Sequence, residues 1–229
     1  MKCNFFILSF LSIPFFSCAQ YYSQVGQDAY LNEHYFHNKK NGFFVDIGAH
    51  NGVTHSNSFF FERELGWHGI CIEPLGYVFE KLKRNRRCIC LNVCISNHGP
   101  LVDFIQVQGL PQMLSGMVHT YDPRHLERLK KEVEFTKGRY DIMSCPALSF
   151  EQMVQKYQVT HIDYLSVDTE GSEFEILISI DFNTVSIFAI SVENNFKEKK
   201  IQEFLETKGF ELVAHLGDLD DIFINHINV

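Results

Sequence analysis

The sequence lacks the short motifs that mark several common enzyme classes. Its 229 residues contain no G-x-S-x-G nucleophile elbow, no G-x-x-x-x-G-K phosphate loop and no H-E-x-x-H zinc motif. These absences disfavour a serine hydrolase, a kinase and a metalloprotease. Internal repeats and low-complexity linkers are also absent, so the length fits one sizeable domain with a full core.

A surplus of basic residues is missing as well. The chain has 20 Lys and Arg against 28 Asp and Glu, which gives a net charge of −8. Because binding to nucleic-acid phosphates needs a basic face, we expect no nucleic-acid partner. The one basic cluster, KLKRNRR at 81–87, lies at the end of a predicted helix and is interpreted as a solvated surface.

The cysteines do not indicate a disulfide framework. Five of the seven follow the first twenty residues, an odd number without the pattern of a small stapled domain. We place Cys88, Cys90 and Cys94 on one face of a strand at 88–95. Thiols buried in the core are favoured there over metal ligands.

The first twenty residues, MKCNFFILSFLSIPFFSCAQ, differ from the rest. Lys2 precedes an apolar segment at 5–16, and small residues follow at 17–19. The pattern predicts a signal peptide at 1–19, because the apolar segment is too short for a clear membrane span. If it is not cleaved, the same segment would be an N-terminal anchor. We therefore expect export, secreted or periplasmic, with membrane contact only through this segment. A cytoplasmic location is the alternative.

Short apolar runs alternate with amphipathic segments along the rest of the chain. Strands are predicted at 43–47, 68–73, 88–95, 101–107, 162–167, 185–192, 210–215 and 221–225. A helical lead-in is predicted at 21–36, and further helices at 54–65, 75–84, 149–158, 172–179 and 197–208. This alternation indicates an α/β domain with a parallel sheet covered on both faces, and the last two strands form an antiparallel hairpin. Residues 108–146, which include a charged helix, fit it poorly and are predicted to be an insertion that forms a lid or recognition loop.

Acidic residues stand at the ends of four predicted strands, where ligands bind in an open parallel sheet. They are Asp46, Glu73, Asp168 and Glu193. The first strand runs into a glycine loop, FFVDIGAHNG (43–52), which lacks the G-x-G-x-x-G spacing of a dinucleotide site. Asp46 would repel a pyrophosphate and instead suits a ligand with a cationic amino group. Glu73 lies where an acid contacts ribose hydroxyls, although it also fits a helix-capping acid before Pro74.

Several stretches together resemble the FkbM-type methyltransferases, a branch of the class I S-adenosylmethionine-dependent fold. They are FFVDIGAHNG, GICIEP, VCISNHG and DYLSVDTEGSEFEIL, with SQVGQD at 23–28. The resemblance spans roughly 21–225 and implies one domain over 20–229, doubly wound around a mostly parallel seven-stranded sheet. It implies S-adenosyl-L-methionine as cofactor and O-methylation of a hydroxyl on a sugar, a glycan or a related small molecule.

The resemblance also implies roles for individual residues. Around the methionine part of the cofactor it places the loop residues Asp46, Gly48, Ala49, His50, Asn51 and Gly52. Glu73 would hold the ribose hydroxyls, and Ser96 and Asn97 would lie against the adenine. His50 stands where the family often has Asn, and for it both ligand contact and a solvent-facing or outer position remain open.

O-methylation requires a group that orients the acceptor hydroxyl and takes its proton. The candidates are Asp168 and Glu170 in SVDTEGSE, and Glu193 in VENN. Helix capping is the alternative for the first two and structural pairing for the third. A metal between Asp168 and Glu170 lacks a third ligand in the sequence, so we predict none.

Two other functional classes remain as alternatives. The predicted leader motivates a non-catalytic exported or membrane-anchored module that keeps the fold, because the methyl donor is normally cytosolic. An NAD-dependent oxidoreductase is disfavoured by the loop chemistry. His119 and His125 belong to the insertion and can reach a substrate from there, although surface or packing roles are favoured for both.

Overall fold

A seven-stranded sheet runs through the protein, whose computed structural model describes residues 20–226. In spatial order its strands are β10 (Phe210–Leu216), β11 (Asp220–Asn225), β9 (Ser186–Glu193), β8 (His161–Val167), β1 (Phe43–Ile47), β2 (His68–Ile72) and β3 (Ile89–Leu91). The five strands from β9 to β3 are parallel, and β11 is antiparallel to both β9 and β10. This confirms the predicted mostly parallel, seven-stranded sheet with its C-terminal hairpin.

Helices cover both faces of this sheet. They are α1 (Gln27–Leu31), which continues as a π-helical turn (Asn32–Phe36), α2 (Phe59–Leu65), α3 (Gly76–Asn85), α5 (Phe150–Tyr157), α6 (Glu173–Ile178) and α7 (Lys199–Thr207). Alternate strand residues enter separate cores. Val45 and Leu165 pack with α5, α6 and α7 on one face, while Phe44 and Tyr164 pack with α1, α2 and α3 on the other. The central strands are therefore mostly apolar on both faces, as a sheet buried on both sides requires.

A second, four-stranded sheet lies beside the first and was not predicted. Its strands are, in order, β4 (Cys94–Ile95), β7 (Arg139–Leu148), β5 (Leu101–Gln108) and β6 (Gly116–Met117), and α4 (Pro123–Thr136) connects β6 to β7. Pairing between β5 and β7 runs from Leu101–Pro146 to Gln108–Arg139. The predicted irregular segment 108–146 therefore contains β6 and most of β7 as well as the predicted charged helix.

The strand predicted at 88–95 is wrong in one respect, because it is two strands in different sheets. The chain leaves the main sheet after Leu91 and joins the second sheet at Cys94. Cys94 accordingly packs beside Cys145 in the core of the second sheet, whereas Cys88 and Cys90 pack against the core formed by α1, α2 and α3. The three thiols do not share one face.

Two predicted helices begin later than expected. Asn51 Oδ1 accepts hydrogen bonds from the N–H groups of Val53 and Thr54, and this turn delays α2 until Phe59. Asp28 accepts in the same way from Tyr22 and Ser23, so the lead-in becomes helical only from Gln27. In both places a short polar side chain competes with the helix for backbone N–H groups.

The predicted signal peptide at 1–19 lies outside the described residues. Within the part of the chain that the structure describes, none of the helices has the length and apolar character needed to cross a bilayer.

Candidate active site

The parallel strands bring three of the predicted acids and the glycine loop to one edge of the main sheet. Glu73 follows β2, Gly48 follows β1, Asp168 follows β8 and Glu193 ends β9. Backbone hydrogen bonds continue past the strand ends, from Gly48 N–H to Ile72 O at 3.0 Å and from Asp168 N–H to Ile47 O at 3.0 Å. The edge is therefore rigid up to the candidate site residues.

Gly48 is required at its position for two separate reasons. Its φ of +92° lies in the left-handed region that favours glycine. In addition, a Cβ at this position would lie 1.7 Å from the Asp168 carbonyl oxygen. The absence of a side chain lets the loop after β1 lie directly against the loop after β8.

An open cavity lies between this edge and the second sheet; its empty space, which includes solvent at the mouth, is about 690 Å³. The edge contributes Gly48, His50, Glu73, Asp168 and Glu170 to its lining. The second sheet and the insertion contribute Phe104, Gln112, Met113, Ser115 and Met117. We call this the first cavity. Four residues predicted from the sequence to bind cofactor or act in catalysis thus meet here with Glu73, although they are far apart in the chain.

Glu73 is buried in the wall of the first cavity. Its Oε1 accepts a hydrogen bond from the Leu75 N–H at 2.8 Å, just before α3 begins. Burial raises the pKa of the Glu73 carboxyl to about 7, and hydrogen bonds from the backbones of Leu75 and His50 oppose this shift. Glu73 therefore accepts a bond from the backbone just before a helix and also lines the cavity, and its contact with ribose hydroxyls stays a prediction.

His50 lies in the same wall, which places it among the residues that can touch a ligand. Its Nε2 is 3.1 Å from Gln112 Nε2 of the insertion, and its buried Nδ1 has no hydrogen-bond partner within residues 20–226. Burial lowers the pKa of the His50 imidazole, and Lys81 and His55 lower it further. His50 therefore contributes a neutral imidazole to the wall of the cavity.

Asp46 does not line the first cavity but forms a buried network behind the glycine loop. Ser58 Oγ donates to Asp46 Oδ2 at 2.5 Å, and Arg86 Nη2 donates to Ser58 Oγ at 3.0 Å. Burial raises the pKa of Asp46, and the charge of Arg86 opposes that shift. This network connects β1 to the residues just before α2 and so fixes the loop between them.

The remaining loop residues shape the backbone. Ala49 is buried, and Asn51 closes the turn described above. Gly52, with a φ of +78°, lies so close to Leu82 and Arg86 that a Cβ would be 2.6 Å from each side chain.

Ser96 and Asn97 are not brought into the first cavity. Ser96 N–H donates to Leu148 O, its hydroxyl accepts from the His98 N–H at 3.2 Å, and Asn97 is exposed. The strand that precedes them belongs to the second sheet, so the cavity is lined by Val93, Cys94 and Ile95 instead.

The loop after β8 presents Asp168 and is held by Glu173. Glu173 Oε1 accepts from Thr169 N–H at 2.8 Å and from Gly171 N–H at 3.0 Å. Glu173 is therefore the acid whose carboxylate accepts hydrogen bonds from the backbone of this loop. Burial raises the pKa of the Asp168 carboxyl well above its usual range, and repulsion from Asp220 and Glu170 adds to the shift.

A second cavity adjoins this loop on the side of β9. Its lining includes His125, Glu193, Asn194, Asn195 and Phe196. Burial raises the pKa of the Glu193 carboxyl well above its usual range, and repulsion from Asp168 raises it further. Asn195 Nδ2 donates to Glu193 Oε1 at 2.7 Å, so Glu193 has a structural partner and also faces the cavity.

Glu170 lies between the two cavities. Its φ is +58°, and its Oε2 is 3.3 Å from His125 Nδ1 of the insertion and 3.9 Å from Arg128 Nη1. The insertion is joined to the loop after β9 as well, since the Arg124 guanidinium lies 3.6 Å from the centre of the Phe196 ring and 2.9 Å from Glu198. Residues of α4 therefore roof the edge of the main sheet.

Arg86 is a site-forming residue that the sequence interpretation missed. The prediction of a solvated surface holds for its neighbours, but Arg86 is buried and donates to Glu62 Oε2 at 3.0 Å and to Gly52 O at 3.2 Å. Its spacing was the available signal, because Arg86 continues the four-residue interval of Val78 and Leu82, the buried residues of α3, one residue past the end of that helix.

Gln27 is a second residue that sequence reasoning did not identify. Its Nε2 donates to Asp220 Oδ2 at 2.6 Å, and Asp220 pairs with Glu193 across β11 and β9. Nothing in the spacing of the sequence indicates this contact, which joins residues 193 positions apart.

Comparisons with known proteins bear on this site. A family model, the methyltransferase FkbM domain, matches residues 46–222. Among solved structures the chain is similar to "delta-N METTL16 MTase domain", at 10% identity, 87% coverage of this chain, 78% of that chain and a TM-score of 0.42. It is also similar to "Human methyltransferase 10 domain containing protein", at 11% identity, 87% and 78% coverage and a TM-score of 0.42. A search of curated proteins gives no significant match.

Proposed function

The chain belongs to the FkbM methyltransferase family, and from this premise we propose that it transfers a methyl group from S-adenosyl-L-methionine to a hydroxyl of a sugar or related small molecule. The observation that carries the proposal is the arrangement at the edge of the main sheet. Glu73 and Asp168 face one cavity, and Glu193 faces a second cavity that meets the first at the loop after β8.

The residues of the first cavity fit the cofactor. A buried carboxylate suits a pair of ribose hydroxyls, and Glu73 supplies it. Gly48 and the neutral His50 imidazole, which also line this cavity, are the contacts we assign to the amino-acid part. Leu75, Ile95 and Phe104 offer apolar walls to a flat base. When bound, the cofactor supplies a methyl group on a positively charged sulfur.

The chain's own contribution to the reaction is to align the acceptor and to receive its proton. The Asp168 carboxylate lines the first cavity, and its raised pKa makes it a better proton acceptor than an ordinary aspartate. His125 and Arg128 of α4 lie over the neighbouring Glu170 and narrow the access of solvent to this loop. Alignment of the acceptor oxygen supplies a further part of the rate enhancement.

The second cavity suits a polyhydroxy acceptor. Glu193 and Asn195 provide carboxylate and amide groups that exchange hydrogen bonds with hydroxyls, and the Phe196 ring offers an apolar face. Most of the lining residues are polar, which suits a ligand with several hydroxyl groups.

Calorimetric titration with S-adenosylmethionine and with its demethylated product tests the first half of this proposal. We expect binding of both by the full-length chain and by residues 20–229. Transfer of an isotopically labelled methyl group to a panel of sugars, glycolipids and small alcohols, in parallel with amine and thiol acceptors, tests the second half. Binding without transfer to any acceptor would favour the non-catalytic module, and absence of binding would remove the cofactor from the proposal.

Glu73→Ala should weaken binding of the demethylated cofactor product at least about 100-fold, since two hydrogen bonds to a charged group contribute about 1.5–3 kcal/mol each. Affinity in the wild type should also rise between about pH 6 and pH 8. The carboxyl, with its pKa near 7, must lose its proton to accept from both hydroxyls. Calorimetry across this range measures both effects.

Two variants serve as controls for that prediction. Glu73→Gln keeps the shape and one acceptor oxygen, and should bind more weakly than wild type with a flat pH dependence. Glu80→Gln, on the exposed side of α3, should match the wild type. An unchanged affinity in Glu73→Ala would show that the ribose is held elsewhere.

A further inference from the structure

Three side chains from separate segments converge on the surface beside the first cavity. His98 lies in the loop between β4 and β5, His119 lies between β6 and α4, and Glu175 belongs to the first turn of α6. His98 Nε2 is 3.2 Å and His119 Nε2 is 3.1 Å from the same oxygen, Glu175 Oε1. One coordinating atom from each residue lies within 4.8 Å of those of the other two.

We propose that His98, His119 and Glu175 form a binding site for a divalent transition-metal ion, with Zn²⁺ the preferred ion. Two imidazoles and one carboxylate are a ligand set that zinc uses, with bonds of about 2.0–2.2 Å. Tetrahedral bonds of that length place the ligand atoms about 3.3 Å apart. The separations of 3.2 and 3.1 Å to Glu175 Oε1 match this spacing, and the two imidazoles, within 4.8 Å of each other, need to move by at most about 1.5 Å to complete it.

The exposure of the cluster suits an exchangeable ion. The side chains of Glu175 and His119 are about one-quarter and one-third exposed, at 26% and 31%, while His98 is more open at 57%. An ion can enter from solvent, and water can occupy its fourth position. Imidazole and carboxylate ligands together favour Zn²⁺ over Mg²⁺ or Ca²⁺, which prefer oxygen ligands.

An ion here would join the insertion to the main domain. His119 follows β6, whose Met117 lines the first cavity, and Glu175 precedes Ile176, which lines the cavity from the other side. A bond through the ion would hold these two walls together. We therefore expect the ion to stabilise the folded protein, an effect that does not depend on the proposed methyl transfer. The sequence alone predicts no metal site because residues 98, 119 and 175 form no recognisable spacing.

Metal-free, untagged full-length protein should be titrated with Zn²⁺ in competition with a chromophoric chelator, and with Co²⁺ to record the visible absorption of a tetrahedral site. We expect about one ion per chain and a higher melting temperature with Zn²⁺. His119→Ala and Glu175→Gln should each weaken binding at least about 100-fold. Even the loss of groups that only support the ligands costs 10–100-fold in affinity.

Matched variants separate this site from other metal-binding groups. His226→Ala removes an exposed imidazole that lies 3.3 Å from Glu211, a pair with no third ligand within residues 20–226, and should leave Zn²⁺ affinity unchanged. Cys88→Ser tests the half-buried thiols and should also bind normally. The proposal is overturned if the wild type binds no more tightly than His119→Ala, or if Cys88→Ser abolishes binding. Circular dichroism confirms that each variant is folded.

Discussion

Asp168→Asn should lower kcat for methyl transfer about 10²–10⁴-fold, the contribution expected of a positioned general base, while cofactor affinity stays within about threefold of wild type. Asparagine keeps the shape of aspartate but takes no proton at neutral pH. The raised pKa of Asp168 also predicts a pH profile in which kcat rises as the carboxyl ionises. Asp168→Asn should lose this rising limb, and steady-state kinetics from acid to mildly alkaline pH measure it.

Glu193→Gln is the informative comparison for that experiment. Glu193 faces the second cavity and already accepts a hydrogen bond from Asn195, so we expect its loss to raise the KM for the acceptor more than it lowers kcat. Asp181→Asn, at an exposed position in the turn that follows α6, should behave as wild type. A kcat loss confined to Glu193→Gln would transfer the role of base to that residue. If neither variant loses more than about threefold, alignment without a base accounts for the rate.

The main sheet could be predicted from the sequence because its strands are buried on both faces. FFVDI at 43–47 forms β1 with the predicted bounds, since an uninterrupted apolar run followed by a glycine loop has few other solutions in an α/β domain. The order of acids and strands then fixes which residues meet. Gly48, Glu73 and Asp168 lie together because parallel strands end at a common edge.

The second sheet could not be predicted for an equally physical reason. Most of β7, from Arg139 to Ser144, is exposed or half-buried and shows no apolar alternation, so only its pairing with β5 makes it a strand. The break after Leu91 could not be predicted either, because the cysteines at 88, 90 and 94 continue the apolar pattern across it. Ser96 and Asn97 therefore follow a strand of the second sheet and not, as predicted, the third strand of the main sheet.

Gly48→Ala should be the most damaging single substitution in the glycine loop. A side chain here must adopt a φ of +92°, which costs about 1–2 kcal/mol, and its Cβ would overlap the Asp168 carbonyl oxygen at 1.7 Å. Relief of that overlap requires β1 and β8 to separate at their ends, and overpacking of this kind costs a further 1–3 kcal/mol or more. We therefore expect the free energy of unfolding in urea to fall by at least about 3 kcal/mol, with loss of detectable cofactor binding.

Gly26→Ala isolates the steric part of this effect. Gly26 has the same φ of +92°, but a Cβ there meets nothing within 4 Å, so the substitution carries the backbone strain without the overlap. We expect it to cost only the 1–2 kcal/mol of strain and to leave cofactor affinity unchanged. The difference in the free energy of unfolding between the two variants measures the cost of placing a side chain between the loops after β1 and β8. Equal destabilisation in both would mean that the Asp168 loop moves aside freely, and the rigid edge inferred for the active site would then be wrong.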